Sequence, residues 1–186
     1  GKFYVHGEIL DLKSGSAKEK LDEAMKNLVE SVYSKLNMVK QFVDSDAGIL
    51  EILNSTHEEF GFTGLGANNE DALNEISQWL ELQNQKMLTT SMGDVQRRYQ
   101  AIPYGWKEID IAALIARLIV QQKIQINYGG AAVGKEERRL VDFLRKKTEI
   151  DRAIVVRRIA PSEELIRKSV SFLRDYLGAM DIPSDE

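Results

Sequence analysis

The sequence predicts a mainly α-helical α+β protein with a few short β-strands. Ten of the twelve residues from Ile109 to Val120 are apolar, and a helix that is apolar on nearly all sides is buried by its neighbours. Two β-prone segments, Ile124–Tyr128 and Ala153–Ile159, follow this helix. Most of the remaining chain has apolar residues at helical spacing. We therefore expect the other elements to pack around the helix at 109–120.

The composition is typical of a globular cytoplasmic protein and offers no membrane segment. The chain has 186 residues, of which 43% are hydrophobic and 29% are charged. No apolar run reaches the roughly 20 residues that a membrane span requires, and the N-terminus lacks a signal-peptide pattern. Without cysteine there can be no disulfide and no thiolate metal site, which favours a reducing compartment. Because the chain begins with Gly1 rather than Met, we expect it to be a segment of a longer protein.

The N-terminal part is predicted to contain a short strand or hairpin followed by helices. Ser16 and Glu19 form a capping-box pattern at the start of an amphipathic helix. Residues 54–69 are rich in Gly and Asn and mark the best candidate for a domain boundary. We therefore divide the chain into a 1–66 strand-plus-helix region and a 67–186 helical and winged-helix-like region. The elements expected before the boundary are a strand or hairpin at 3–12 with Gly7 at a bend, a helix from Ser16 to about Leu36–Val39, and a short helix capped by Asp46.

The C-terminal part is predicted to alternate helices with two strands. Pro103 ends one helix, because the residue before proline is disfavoured in the helical region. Tyr104 and Trp106 follow, and we expect them to anchor the core rather than to bind a ligand. The elements expected after the boundary are a helix capped by Asn69 that runs to about Leu88, a short helix at Ser91–Tyr99, the buried helix, the strand Ile124–Tyr128, a turn at Gly129–Gly130, a helix at Glu136–Lys147, the strand Ala153–Ile159, a last helix capped by Ser162, and a polar tail from Asp181.

One stretch resembles a nucleotide-binding loop, but its context does not support that function. Residues Gly129–Lys135 fit the spacing G-x-x-x-x-G-K after a strand. A P-loop continues with Ser or Thr, whereas here Glu136 would place a carboxylate beside anionic phosphates. His6 and His57 lack the paired spacing of a zinc site. We therefore interpret the glycines as a turn leading into a helix and predict no catalytic residue and no metal ligand.

Basic residues are concentrated in the C-terminal third, in contrast to the net charge of −4. From the buried helix onward, the predicted order of helix, strand, helix and strand with basic residues is compatible with a winged-helix-like module, in which contacts to phosphates supply most of the affinity for DNA. A winged-helix module has three helices and a β-wing, and its third helix is not evident here between Lys147 and Ala153. Alternatively, these side chains pair with nearby acidic residues on the surface. The candidate nucleic-acid contacts are Arg138, Arg139, Arg145, Lys146, Lys147, Arg157 and Arg158.

The chain contains a segment from Pro103-Tyr104-Gly105-Trp106 to Leu118, followed by Lys123-Ile124 and Tyr128-Gly129-Gly130. These residues resemble the C-terminal part of the BrxC family. The members of that family are large P-loop proteins of BREX bacteriophage-defence systems and are related to PglY. The similarity continues through Leu144–Ile150 and Phe172–Tyr176 and ends near Met180–Pro183.

The resemblance implies a cytoplasmic, non-catalytic region of a phage-resistance ATPase that contributes DNA or partner-subunit binding. It implies ATP and magnesium for the parent protein and no cofactor in this segment, since none of the family's nucleotide motifs is present here. The implied partners are the rest of the parent ATPase chain, double-stranded DNA and other BREX subunits. Two alternatives stay open, namely a scaffold module that docks on the ATPase core without binding DNA, and a nucleotide-binding protein that uses Gly129–Lys135.

Overall fold

The computed structural model describes residues 3–5, 8–10, 15–55, 69–158 and 167–173, and within these ranges the fold is α+β and mainly helical. The helices are α1 (Ala17–Val32), α2 (Asp46–Asn54), α3 (Glu70–Gln85), α4 (Met92–Gln100), α5 (Glu108–Val120) and α6 (Leu140–Arg145), with a 3-10 turn at Leu36–Met38 and a helical segment at 167–173. The strands are β1 (Phe3–Val5), β2 (Glu8–Leu10), β3 (Ile124–Tyr128), β4 (Ala131–Val133) and β5 (Ala153–Arg157).

Helix α5 is the centre of the core, as its apolar sequence predicted. Every residue from Asp110 to Val120 is buried, including the charged Asp110 and Arg117. Helices α2, α3, α4 and α6 and strand β3 all contact α5, so that little of its surface is left for solvent. None of the helices in the described ranges has the length and apolarity needed to cross a bilayer.

A three-stranded antiparallel sheet lies beside α5 in the order β4-β3-β5. Strand β3 alternates, with Ile124 and Ile126 buried against the core. Gly129 and Gly130 connect β3 to β4 with φ values of 61° and 85°, a region that glycine occupies without steric cost. The prediction of a strand followed by a glycine turn is therefore confirmed.

An aromatic cluster next to α5 confirms that the Pro-Tyr-Gly-Trp stretch anchors the core. The rings of Tyr99 and Trp106 stack at 4.8 Å, and Tyr104 contacts both of them edge-on. The indole N–H of Trp106 donates a hydrogen bond to the carbonyl oxygen of Lys35 at 3.0 Å. This bond ties the chain after α1 to the turn between α4 and α5.

Two predicted boundaries in the N-terminal part are wrong. The capping box of Ser16 and Glu19 is present, but α1 ends at Val32 rather than at Leu36–Val39. The amide of Lys35 donates to the carbonyl of Pro103 at 3.0 Å. This long-range bond, together with the one to Trp106, draws the backbone out of the helix. Helix α2 has Ser45 as its N-cap, and Asp46 is its first helical residue.

The helix predicted at Glu136–Lys147 is shorter than expected, since only Leu140–Arg145 is helical. Strand β4 was not predicted, because Ala131–Val133 has no pattern of its own and becomes a strand only by pairing with β3. Between Lys147 and Ala153 the chain forms turns, in agreement with the absence of a helical pattern there.

Residues from both sides of the proposed boundary at residue 66 contribute to one hydrophobic core. Val39, Ile49 and Leu53 belong to the same buried cluster as the residues of α3 to α6. The boundary itself lies outside the described residues, as do His6, His57 and the Ser162 cap. The division into two regions stays a prediction.

Candidate nucleic-acid interface

Strand β3 and the elements around it form a surface with an excess of positive charge. We call the exposed surface of residues 122–158 the basic face; it is built from the β3–β4 hairpin, α6, the turns at 146–152 and strand β5. This stretch of sequence has ten Lys and Arg residues against five Asp and Glu residues. Such an excess is the electrostatic requirement for attracting a polyanion.

Two arginines on this face are held against a pair of stacked aromatic rings. Tyr128 of β3 and Phe143 of α6 stack at 4.2 Å with an angle of 11° between their planes. The guanidinium of Arg139 lies 5.0 Å from the Phe143 ring centre, and that of Arg152 lies 4.9 Å from the Tyr128 ring centre. Cation–π contacts of this kind restrict the side chains while leaving their N–H groups free to donate.

The hydroxyl of Tyr128 donates a hydrogen bond to the carboxylate of Glu149, which raises the pKa of Tyr128. Glu149 also lies 4.0 Å from Arg139. The charge of Arg139 is therefore partly compensated within the protein.

Three other predicted contact residues form ion pairs with carboxylates of the protein. Arg145 pairs with Asp46 of α2 and lies 3.8 Å from Glu108 of α5, and only 28% of its side chain is exposed. It thus connects three helices rather than pointing into solvent. Lys146 pairs with Asp142 at 2.8 Å. Arg157 pairs with Glu81 of α3 at 3.0 Å.

The remaining predicted residues are exposed and have no carboxylate partner in the part of the chain that the structure describes. They are Arg138, Lys147 and Arg158, the last of which donates to the side-chain oxygen of Gln122 at 3.3 Å. Lys123 and Arg152 are likewise exposed and without a carboxylate partner among the described residues, but they were not among the predicted contacts. Arg152 was recognisable as part of a basic cluster, whereas a single Lys after a helix gave no signal for Lys123.

The Gly129–Lys135 stretch does not have the form of a phosphate-binding loop. Its glycines close the β3–β4 hairpin, and Ala131–Val133 pair with β3 instead of wrapping around a ligand. The Lys135 ammonium lies 3.8 Å from the Glu136 carboxylate. Within the described ranges, no group of three or more His, Cys, Asp or Glu side chains is placed to hold a metal ion.

Helices followed by the antiparallel β3–β4 hairpin are the kinds of element that make up a winged helix-turn-helix domain. Residues 35–159 match the family model of the BREX ATP-binding protein BrxC winged helix-turn-helix domain. The match covers 125 of the 186 residues, and the chain belongs to this family. The resemblance found from the sequence is thereby confirmed. No solved structure matches the chain at a significant level.

Proposed function

We propose that this region of a BREX defence protein contributes DNA binding to a large phage-resistance ATPase and catalyses no reaction itself. One observation carries the proposal, namely the group of exposed cationic side chains on the basic face that have no carboxylate partner among the described residues. They are Lys123, Arg138, Lys147, Arg152 and Arg158. Cations of this kind bind phosphates by releasing the counterions that DNA condenses.

The ATP and magnesium ions implied by the family belong, in this proposal, to the rest of the parent chain. The other partners are that chain and further BREX subunits. Magnesium-ATP added to the isolated chain should therefore leave its melting temperature unchanged, since a ligand that binds only the folded state would raise it. A rise that depends on the nucleotide concentration would instead favour a site at Gly129–Lys135.

Fluorescence anisotropy with a labelled duplex at low salt tests DNA binding directly. The variant Arg138→Glu/Lys147→Glu should weaken binding at least tenfold, because it reverses two unpaired charges on the basic face. The matched control is Lys18→Glu/Lys20→Glu, which makes the same change of charge on α1, a helix that packs against β1. Equal losses in both variants would contradict a localised interface. Absence of binding by the folded chain would contradict DNA binding altogether.

The alternative function, docking on the ATPase core or on another BREX subunit, is favoured by the surface of α1. Leu21, Met25, Leu28 and Val29 are 40–53% exposed, and their spacing places them on one face of the helix. Exposed apolar faces of this kind are typical of protein interfaces. If docking is the function, the chain should co-purify with the upstream ATPase segment and should not bind DNA. The substitutions Met25→Glu/Leu28→Glu should then abolish the co-purification.

A further inference from the structure

We infer that this domain binds duplex DNA through its phosphates alone and does not select a base sequence. The inference rests on the proposed DNA-binding function and specifies its mode. It departs from the usual behaviour of helix-turn-helix domains, in which the second helix lies in the major groove and presents side chains to base edges. Three features of the basic face and of α5 lead to it.

The first feature is the burial of α5, the helix next to the hairpin. It follows α4 after a turn and directly precedes the hairpin, yet all residues from Asp110 to Val120 are buried. Its first turn contains Glu108, which lies 3.8 Å from Arg145, and the buried Asp110, so this end of the helix offers no cation to a phosphate. A helix covered by α2, α3, α4 and α6 cannot enter the major groove.

The second feature is the chemistry of the hairpin tip, the part that a winged domain presents to a groove. The exposed residues there are Gly129, Gly130, Ala131 and Ala132. None has a side chain that can donate or accept a hydrogen bond, whereas base edges are distinguished mainly by Arg, Lys, Asn, Gln, Asp and Glu. The tip can therefore approach the DNA backbone closely but cannot distinguish base pairs by hydrogen bonding from its side chains.

The amide side chains beside the hairpin are already engaged within the protein. Gln125 donates to the side-chain oxygen of Asn127 at 3.1 Å. The side-chain oxygen of Gln122 accepts from Arg158. These hydrogen bonds orient the amides toward protein groups, which restricts their use in a bidentate contact to a base.

The third feature is the distribution of the unpaired cations. Lys123 and Arg158 are adjacent, because the amide of Arg158 donates to the carbonyl of Lys123 at 2.8 Å. Arg152 lies at the opposite end of β3, over Tyr128. With a rise of about 3.4 Å per residue, the two ends of this strand are roughly 15 Å apart. Charges separated by this distance contact different phosphates, which fixes the position of the duplex without reporting its sequence.

A binding selection from a duplex library with a randomised central segment tests the inference. After separation of the bound fraction from the free fraction at moderate salt, each base should occur at every randomised position with the same frequency, within twofold, in both fractions. Enrichment of a defined motif would overturn the inference while leaving DNA binding itself intact. No retention of any duplex by the folded chain at low salt would instead refute the proposed function and the inference together.

The salt dependence of binding supplies an independent measurement. Five phosphate contacts predict that log K falls against log [salt] with a slope of about −4 to −5. Each of Arg138→Gln, Lys147→Gln and Arg152→Gln should reduce the magnitude of this slope by about 1, equally on GC-rich and AT-rich duplexes. Lys18→Gln on α1 is the matched control and should leave the slope unchanged. A substitution that weakened binding to one duplex only would show base-specific contact and contradict the inference.

Discussion

Replacement of Trp106 tests whether the aromatic cluster anchors the domain core. Trp106 is 3% exposed, stacks on Tyr99 at 4.8 Å and donates a hydrogen bond to Lys35 at 3.0 Å. Trp106→Phe keeps an aromatic ring against Tyr99 but leaves the Lys35 carbonyl without this donor. Trp106→Ala removes the ring, the hydrogen bond and most of the buried side chain.

The two substitutions should differ clearly in the free energy of unfolding. Loss of the hydrogen bond and part of the indole ring should cost about 2 kcal/mol in Trp106→Phe. Truncation of a buried Trp to Ala, which also leaves a cavity, should cost about 4 kcal/mol. For a chain of this length each kcal/mol corresponds to roughly 3 °C in Tm. The expected decreases in Tm are therefore about 6 °C and about 12 °C.

Urea denaturation followed by circular dichroism measures both losses and does not depend on tryptophan fluorescence, which the substitutions themselves alter. Met87→Ala is the control, because Met87 is 94% exposed and its truncation should change stability by less than about 0.5 kcal/mol. If Trp106→Ala costs no more than about 1 kcal/mol, the stack on Tyr99 does not anchor the core and the reasoning from the Pro-Tyr-Gly-Trp stretch is refuted.

Three further substitutions test local features of the fold by denaturation. Gly105→Ala should lower the free energy of unfolding by about 2 kcal/mol, because Gly105 has a φ of 62° and an added Cβ would lie 2.5 Å from the ring of Tyr33. An unchanged free energy of unfolding would show that the Tyr33 ring moves aside at little cost. Burial raises the pKa of Asp110, whose carboxylate accepts from the amide of Val43 at 3.0 Å. The native state therefore binds this proton more tightly than the unfolded state, and the stability contributed by the protonated form is lost as the pH rises through the folded-state pKa. Asp110→Asn should be more stable than the parent chain at neutral pH and similar to it below pH 3.8, the ordinary value for Asp; a uniform difference at all pH values would contradict this account. Ser91→Ala should cost about 1 kcal/mol, because the Ser91 hydroxyl oxygen caps α4, and an unchanged midpoint would show that the cap contributes nothing.

The basic face was only partly predictable from the sequence. Residue type and position identified a positive C-terminal third, but they could not show which charges are compensated. Arg145 pairs with Asp46, 99 residues away, and Arg157 pairs with Glu81. Ion pairs between distant segments leave no local pattern, since only folding brings their members together. Lys123 likewise has no local pattern that predicts a contact, since its proximity to Arg158 depends on the pairing of β3 with β5.

By itself, the sequence determined the features that depend on neighbouring residues. The apolar run of α5, the capping box at Ser16 and the glycine turn at 129–130 are local patterns, and the structure confirms all three. Local patterns of residues were also sufficient to suggest the family. The tertiary structure alone decided the end of α1 and the existence of β4, because both depend on hydrogen bonds to partners outside the element itself. It also decided which cations on the basic face keep an uncompensated charge, since that depends on which acidic side chains the fold places beside them.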